Sequence, residues 1–556
     1  MTDISQHLLL ERFYAHCDSR PNALYMTQPT DHGIETYTFA QVLEQAQLMA
    51  AHLRAQEFEA GSKIAIISKN CAHFIMADLA IWMTGHVSVA LYPTLQADTI
   101  DYILKHSDAK YIFVGKLDTF DNVKAGLPEG LPGVSLPLAP AESPFPFWDE
   151  VTSGLEPIAE RPVREADDHA LIIYTSGSTG QPKGVLHSFR TITVPTIGLA
   201  KDLSLGTEDR GLSYLPLAHG MDRWLSECLS LYAGSQLFFA QSLDTFVADL
   251  NRARPTLFVS VPRLWLKFQL GVFKKMPPKK LNRLLKLPII SGIVKKKVLK
   301  NLGLDSVRFA GSGSAPIPAE LISWYRNLGL ELLEGYGMSE NFNYSHITKP
   351  GRGRAGYIGH PYDDVECKLS EEGEILVKSP GTMLGYYKQP DLTAEVMTED
   401  GFLKTGDRGE IDSDGRLRIT GRVKELFKTS KGKYVAPAPI ENLINNDPNI
   451  ELSMVTGSGQ AKTYAVVQLA EDLLPKLNNP GEKERITREL EALLHSVNGK
   501  IEEFERMGFI VIGSTRWTID DGHLTPTMKI RRNKIEDLYA SQVNDFYAAG
   551  KSVIWE

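Results

Sequence analysis

The amino-acid sequence predicts an α/β protein: a large N-terminal body of doubly wound sheets plus a small β-rich subdomain, followed by a smaller α+β C-terminal domain. The 556 residues are enough for several domain-sized units. Short apolar segments alternate with amphipathic ones through the first quarter, which is typical of a parallel sheet covered by helices. Short strands with turns between them dominate from about 357 to 418, and the pattern changes after Gly421.

The first quarter justifies the doubly wound body element by element. Apolar Val42, Ala46, Met49 and Leu53 share one face of a helix over 41–55. Further elements follow as a buried strand at 63–68, a helix near 72–84, a strand near 86–92, a helix near 97–106 and a strand at 111–114. Residues 126–162, rich in Pro and Gly, predict a long loop or connection.

The later elements complete the two predicted domains. Strands are expected at 235–240 and 256–261, and short strands over 357–418. Beyond the boundary the sequence predicts a helix near 437–446, strands near 452–456 and 463–469, and a charged helix near 482–498. We therefore expect domains at 1–421 and 422–556.

Composition excludes several classes of protein. Sixty Lys and Arg against 68 Asp and Glu give a net charge of −8, which argues against a nucleic-acid partner. Four scattered cysteines without a CxxC pair indicate a reducing, cytoplasmic setting, and the N-terminus lacks the pattern of a secretory signal. The apolar stretch 74–95 contains Asp78, Gly85 and Pro93, so a buried helix and strand are favoured over a membrane span.

One stretch departs from the rest in charge. Residues 251–304 contain 14 Lys and Arg and no Asp or Glu, with Leu and Ile interleaved between the bases from 281 to 290. Such a segment fits peripheral contact with an anionic membrane, on its inner face, or else a solvated basic surface. Pro277, Pro278 and Pro288 predict a short helix with irregular flanks.

The most specific motif is ALIIYTSGSTGQPKGV at 170–185. An apolar strand leads into a loop of Thr, Ser and Gly that ends at Lys183. Glycines at 177, 180 and 184 let backbone N–H groups approach an anion, while hydroxyls and the lysine add further donors. This is chemistry for an oligophosphate, although the loop lacks the spacing of a Walker A motif.

This loop resembles the signature loop of the adenylate-forming superfamily, which includes acyl-CoA synthetases, adenylation domains and luciferase-type enzymes. Other segments resemble further motifs of the family, in the family's order: SYLPLAH at 213–219, GSGSAP at 311–316, EGYGMSE at 334–340, KTGD at 404–407, GRVKELFKTSKGKYVAP at 421–437 and LTPTMK at 524–529. The resemblance spans about 36–532 and is closest to long-chain fatty-acid–CoA ligases.

The resemblance implies a reaction in two halves, with ATP, Mg²⁺ and CoA as cofactors and a long- or medium-chain fatty acid as substrate. A carboxylate attacks the α-phosphorus of ATP, releasing pyrophosphate and giving an acyl adenylate; the CoA thiol then displaces AMP. Because carboxylic acids with a pKa of about 4–5 are ionised at neutral pH, the first half needs charge neutralisation and alignment rather than a general base.

The family match also assigns roles to residues. Thr175 and Glu340 would hold Mg²⁺, Asp407 would accept from the ribose hydroxyls, Arg422 would bind ribose or phosphate oxygens, and His219 would sit between the carboxylate and the acyl pocket. Tyr336 would stack on adenine. The implied nucleotide-binding set is completed by Ser176, Gly177, Ser178, Thr179, Gly180, Lys183, Ser314, Ala315, Pro316, Glu334, Gly335, Gly337, Ser339 and Lys424.

Three lysines near the C-terminus carry the expectation of a mobile domain. Lys529 would reach the α-phosphate and the acyl carboxylate in the first half-reaction, whereas Lys428 matches a lysine used in the second. Lys424 matches the hinge about which the C-terminal domain would rotate between the two.

Three other functions stay open. Two keep the adenylation: an acyl-AMP ligase that loads a carrier protein, and a CoA ligase for an aryl acid. The other is a membrane-associated protein for fatty-acid binding or uptake. The presence of Thr175, Lys183, Glu340, Asp407 and Lys529 argues against this last function.

Overall fold

A computed structural model describes residues 4–176, 181–525 and 528–556 of the chain; the side chains of residues 5, 6 and 176 lie outside the description. The described residues form a mixed α/β protein with several sheets, as the sequence predicts. The strands are β1 Leu24–Thr30, β2 Gly33–Thr38, β3 Lys63–Ile67, β4 Val87–Leu91, β5 Ala109–Val114, β6 Gly133–Ser135, β7 His169–Ser176, β8 Pro182–Ser188, β9 Arg210–Ser213, β10 Gln236–Phe239, β11 Leu257–Ser260, β12 Phe309–Ser312, β13 Leu332–Tyr336, β14 His346–Ile347, β15 His360–Pro361, β16 Glu366–Leu369, β17 Glu374–Lys378, β18 Gly385–Tyr386, β19 Leu403–Ile411, β20 Leu417–Arg422, β21 Phe427–Lys428, β22 Tyr434–Val435, β23 Ile450–Thr456, β24 Thr463–Leu469, β25 Met507–Ile512 and β26 Val553–Trp555.

Helices connect these strands and cover the sheets. A π-helical stretch, Arg223–Cys228, joins α8 to α9, and short 3₁₀ turns lie at Ile4–His7, Ser339–Asn341, Val423–Glu425, Glu471–Lys476 and Glu503–Glu505. The α-helices are α1 Leu9–Ser19, α2 Phe39–Arg54, α3 Ala72–Met83, α4 Ala97–Ser107, α5 Asp121–Gly126, α6 Trp148–Thr152, α7 Phe189–Asp202, α8 Gly220–Asp222, α9 Leu229–Ala233, α10 Phe246–Ala253, α11 Pro262–Lys275, α12 Pro278–Leu285, α13 Pro288–Asn301, α14 Ala319–Leu328, α15 Pro390–Val396, α16 Pro437–Ile444, α17 Pro480–Asn498, α18 Arg532–Tyr539 and α19 Val543–Ala548.

Three sheets build the large N-terminal body. The largest has the order β18-β8-β7-β4-β3-β5-β6 and is parallel from β7 to β6. A second, β11-β12-β13-β14-β15, is parallel over its first three strands, and a third has the order β2-β1-β10-β9. Because ligands bind beyond the carboxyl ends of parallel strands, the loops after β7, β12 and β13 are the expected binding edge.

Two four-stranded sheets and the two-stranded sheet β21-β22 follow. The antiparallel sheet β16-β17-β19-β20 is the predicted β-rich subdomain. The sheet β23-β24-β25-β26 belongs to the C-terminal domain, where two apolar clusters of its own pack on the two faces of that sheet. The last strand of the subdomain, β20, ends at Arg422, where the expected hinge begins.

Most predicted elements are confirmed, and the structure corrects two. Residues 126–162 are not only a loop, since they contain β6 and α6. The expectation of one short helix with irregular flanks over 274–300 is wrong: α12 and α13 fill this stretch, and a proline stands in the first turn of each. Proline is tolerated there because the first-turn N–H groups have no partner within the helix.

The apolar stretch near residue 80 is a core helix. All twelve residues of α3 are buried, and the helix is followed directly by the buried strand β4. Among the described residues, no helix has the length and apolar character needed to cross a membrane.

Candidate active site

The phosphate loop is the tip of a β-hairpin. Strands β7 and β8 pair antiparallel with Thr175 opposite Lys183. Residues 177–180 and the side chain of Ser176 lie outside the described residues, so the expected contacts of Gly177, Ser178, Thr179, Gly180 and Ser176 stay predictions. Gly184 cannot be replaced freely, because a Cβ there would lie 2.9 Å from the Ile172 side chain. The hairpin therefore fixes the position of Lys183 even though its tip is not described.

Lys183 and Glu340 meet at a residue that the sequence reasoning missed. The Tyr386 hydroxyl donates to Glu340 Oε1 at 2.8 Å, and the Lys183 ammonium lies 5.2 Å from the centre of the same ring. Burial, followed by the charge of Glu340, raises the pKa of Tyr386, so the phenol stays protonated and remains a donor. Tyr386 lies on β18, which pairs with β8, and no chemical motif in the sequence marks it.

Asp407 is held from two sides. Its Oδ2 accepts from the Tyr336 hydroxyl at 2.8 Å, and its Oδ1 accepts from Arg422 Nε at 3.0 Å. Asp407 and Arg422 face each other across β19 and β20, so the sheet register brings them together. The Tyr336 side chain thus orients the carboxylate expected at the ribose, a contact additional to the stacking expected of its ring.

The expected adenine edge lies at the carboxyl ends of β12 and β13. Ser314 has a φ of +67°, and it and the next two residues, Ala315 and Pro316, are exposed. Burial raises the pKa of Glu334 to about 7, against the opposing hydrogen bond from the Ile317 backbone. The two predicted segments, 314–316 and 334–337, are therefore neighbours in the structure.

The glycines of the second segment differ in role. A Cβ on Gly337 would lie 2.4 Å from the Asn343 backbone, whereas a Cβ on Gly335 would meet no atom within 4 Å. Gly337 is required for packing, and Gly335 leaves an open surface. Ser339 is buried, and its carbonyl accepts from His187 Nε2 at 2.8 Å.

His219 is a neutral donor in this site. Its Nδ1 accepts from the Met221 backbone N–H at 3.0 Å, so the proton of the neutral ring resides on Nε2. Burial, with a further contribution from the positive charge of Lys529, lowers the pKa of His219 to about 4. The imidazole is therefore uncharged at neutral pH and can donate a hydrogen bond to a carboxylate oxygen.

A buried polar network fixes the segment that carries His219. Asp222 accepts from Asn70, Ser213 and Ser226 at 2.8–2.9 Å, and burial raises its pKa to about 7. Next to it, the fully buried Arg223 pairs with Asp78 at 2.6 Å and with Glu227 at 3.0 Å. The cost of burying these charges is offset only because each has partners, so the network demands one geometry of this segment.

Lys529 reaches this site from the C-terminal domain. Burial and the charge of Arg422 lower the pKa of Lys529, while Asp407, Glu340 and Glu425 act in the opposite direction. The residue is nevertheless exposed, so the pKa is lowered by the protein atoms that crowd the ammonium group in the cleft and not by complete burial of the side chain. Its backbone N–H donates to Thr525 Oγ1 at 3.1 Å. Lys529 thus lies near Glu340, Asp407 and Arg422, and its charge acts on His219. The roles expected of these residues stay predictions.

Lys424 and Lys428 lie apart from this cluster. Both are exposed, Lys424 in the 3₁₀ turn after β20 and Lys428 on β21. The Lys428 ammonium lies 5.5 Å from the centre of the Tyr434 ring and forms no ion pair among the described residues. In this arrangement of the domains Lys529, not Lys428, is presented to the candidate site.

The residues present suit ATP with Mg²⁺. Thr175 and Glu340 carry side-chain oxygens, the kind of ligand that Mg²⁺ prefers, and would be the residues to hold it. This ion usually takes one or two protein ligands, with phosphates and water filling the rest. Within the described part of the chain, no group of three or more His, Cys, Asp or Glu could hold a metal alone.

Comparison with known families identifies the class of protein to which this chain belongs. The chain belongs to the AMP-binding enzyme family: residues 13–387 match the family's main domain, and residues 425–551 match its C-terminal domain. ATP, Mg²⁺ and CoA are the cofactors of acid–CoA ligases in this family.

Relatives of this chain include several fatty-acid–CoA ligases. Long-chain-fatty-acid–CoA ligase 1 of Cavia porcellus is 30% identical over 94% of this chain and 84% of its own length. A putative fatty-acid–CoA ligase of Mycobacterium tuberculosis is 31% identical over 69% of this chain and 74% of its own.

Solved structures share the fold. The adenylation and carrier didomain of a carboxylic acid reductase from Segniliparus rugosus, with AMP, has a TM-score of 0.80 at 22% identity, over 99% of this chain and 84% of that one. An anthranilate CoA ligase with anthranoyl-AMP has a TM-score of 0.77 at 20% identity, over 97% and 98%.

Proposed function

We propose that this protein activates a long- or medium-chain fatty acid with ATP and transfers the acyl group to CoA. The observation that carries the proposal is the meeting of Lys529 with His219, Glu340, Asp407 and Arg422 across the two domains. The two relatives named as fatty-acid–CoA ligases support the substrate class.

The proposed roles follow the geometry. Lys183, Lys529 and Mg²⁺ held by Thr175 and Glu340 would neutralise the charge that builds up when the carboxylate meets the α-phosphate, a preorganised effect that is strong in a site shielded from water. Asp407, oriented by Arg422 and Tyr336, would hold the ribose. The Nε2–H of His219 would orient the acyl carboxylate.

The proposed domain organisation is 1–421 and 422–556, with the hinge near Lys424. This boundary falls at the last residue of β20, Arg422, and precedes the short hairpin of β21 and β22. Rotation there would withdraw Lys529 from the site. The same rotation would bring Lys428, which lies on the surface in this structure, to the site for the second half-reaction.

A pyrophosphate-release screen tests this function. Carboxylic acids of graded chain length, together with aryl acids, are incubated with ATP and Mg²⁺, with and without CoA. We expect release that rises with chain length and acyl-CoA as the product. Pyrophosphate release without acyl-CoA formation would favour a carrier-protein ligase. A preference for aryl acids would favour an aryl-acid CoA ligase. Fatty-acid binding without pyrophosphate release would favour an uptake protein.

We further propose that helices α12 and α13 make peripheral contact with an anionic membrane. Their tip exposes apolar residues, with Ile289 83% and Ile293 65% exposed, and the buried Leu281 fixes the pair to the body. None of the nine surrounding cations forms an ion pair among the described residues: Lys275, Lys279, Lys280, Arg283, Lys286, Lys295, Lys296, Lys297 and Lys300.

Charge and apolar area together favour a lipid surface as the partner. Each Lys or Arg near an anionic bilayer contributes about 1 kcal/mol, weakened by salt. The short helices α12 and α13 pack against each other, so the tip that they form can rest on the bilayer surface.

Vesicle co-sedimentation at low salt tests this contact. We expect wild-type protein to sediment with anionic vesicles and a variant with Glu at 279, 280, 295, 296 and 297 to stay in solution. A control with the same charge change, Glu at the exposed Lys462, Lys476, Lys483, Lys500 and Lys551, should still bind. Wild-type protein remaining in the supernatant would show that the surface is only solvated.

A further inference from the structure

A set of polar contacts joins the two domains at a distance from the hinge. Arg263 Nη2 donates to Glu451 Oε2 at 2.7 Å, and Lys267 Nζ lies 3.6 Å from the other oxygen of Glu451. Lys274 Nζ lies 3.2 Å from Asp472, and Gln96 Nε2 donates to Asp520 at 2.6 Å. Three basic residues from the first half of the stretch 251–304 thus face carboxylates of the C-terminal domain.

The spacing of the three cations explains how one helix makes these contacts. Arg263, Lys267 and Lys274 are four and eleven residues apart on α11, which places them on one helical face. Opposite them, Glu451 lies on β23 and Asp472 in the 3₁₀ turn after β24. α11 begins just after the carboxyl end of β11, next to β12 and the adenine edge. The contact therefore ties the C-terminal sheet to the edge where the nucleotide is expected.

The contacts also lie close to the loop that carries Lys529. Asp520, the partner of Gln96, precedes Lys529 by nine residues. A cavity of about 170 Å³ lies beside this contact, between the domains, and its walls include Tyr92, Tyr174, Pro182, Leu524 and Arg531. Small movements of the C-terminal domain at this face would displace Lys529 from the α-phosphate position.

The pairs differ in strength. Arg263 and Glu451 are each only 24% exposed, whereas Lys274 and Asp472 are 75% and 57% exposed. Exposed ion pairs contribute little to stability, since solvent screens them. Removing the carboxylate from a half-buried guanidinium costs more free energy, because the guanidinium is left without its partner. Glu451 is the sole acceptor of the Arg263 guanidinium among the described residues, and it also forms an ion pair with Lys267.

We propose that Arg263 and Glu451 are positioning residues that hold the C-terminal domain in the orientation in which Lys529 serves adenylation. The pair touches no reacting atom; it acts through the placement of Lys529. The proposal rests on the proposed function for its kinetic consequence: the pair should matter in the first half-reaction and not in the second, for which the C-terminal domain presents a different lysine.

Two half-reactions measured separately test the pair. Adenylation is followed as acid-dependent exchange between ATP and pyrophosphate, and the second half as CoA-dependent consumption of supplied acyl adenylate. We expect Glu451→Gln to slow adenylation about five- to tenfold and to leave the second half unchanged or faster. Asp472→Asn, the matched control at the exposed pair, should change neither. The exchanged pair Arg263→Glu with Glu451→Arg should recover most of the adenylation lost in Arg263→Glu alone.

A measurement without substrate separates this proposal from the proposed function. Limited trypsin cleavage within residues 423–436 should be several-fold faster in Glu451→Gln than in wild-type protein or Asp472→Asn. Equal loss in both half-reactions, or unchanged adenylation with unchanged cleavage, would overturn the positioning role. Faster cleavage in a protein that activates no acid would sink the proposed function and leave the interdomain contact standing.

Discussion

Tyr386→Phe removes a single hydroxyl from the candidate site and keeps the ring that lies beneath Lys183. The lost contact is the 2.8 Å hydrogen bond to Glu340. Hydrogen bonds to charged groups contribute about 1.5–3 kcal/mol. Because Glu340 is only half-buried, we take about 1.5–2 kcal/mol, which corresponds to a ten- to thirtyfold loss in rate.

The loss in rate should be confined to the adenylation half-reaction. Adenylation should slow, and the Mg²⁺ concentration needed for half-maximal rate should rise, because a less well oriented Glu340 holds the metal less well. Consumption of supplied acyl adenylate with CoA should be unchanged. ATP–pyrophosphate exchange over a Mg²⁺ titration measures the first effect.

A neighbouring tyrosine provides the control. Tyr387 is half-buried, and its hydroxyl forms no hydrogen bond among the described residues, so Tyr387→Phe should match the wild type. The reasoning is refuted if Tyr386→Phe keeps the wild-type rate and Mg²⁺ dependence, or if both variants lose the same activity.

Three further predictions follow from the same geometry. Gly337→Ala should destabilise the fold by about 1–3 kcal/mol, since its Cβ would overlap the Asn343 backbone, whereas Gly335→Ala should not; thermal unfolding compares them, and equal melting temperatures would be contrary evidence. His219, with a pKa of about 4, should stay neutral from pH 5 to 8, so the pH profile of kcat/KM should show no inflection near 6.5 that His219→Gln abolishes; protonation should cost activity only as the pH falls toward 4. Lys428→Ala should keep pyrophosphate release and slow acyl-CoA formation, as measured by separate assays of the two products; an equal loss in both would refute its assignment.

The N-terminal fold was predictable because its elements carry strong local patterns. The helix over 41–55 and the strand at 63–68 agree with α2 and β3 to within two residues at each end, since buried helices and strands leave periodic apolar sequences. The 274–300 stretch was misjudged because proline breaks a helix interior but fits a first turn, and sequence alone does not say which position it takes.

The sequence predicted the site residues that belong to motifs with a chemical role. It predicted neither how these residues pair nor which residues outside the motifs contact them. Asp407 and Arg422 were found as separate motif residues, yet their pairing comes from the register of β19 and β20. Tyr386 was missed because it acts through Glu340, 46 positions earlier in the chain. Arg263 was counted as part of a basic stretch, and its partner Glu451 is 188 residues away, so only the fold could assign it.

The central claim is that Lys529, carried by the C-terminal domain, serves adenylation at a site built by the N-terminal domain. The most direct measurement is the rate of each half-reaction in Lys529→Ala. We predict that ATP–pyrophosphate exchange falls about 10²- to 10³-fold, the usual effect of losing one preorganised charge contact, while conversion of supplied acyl adenylate to acyl-CoA stays within about twofold of wild type. An equal fall in both half-reactions would contradict the account.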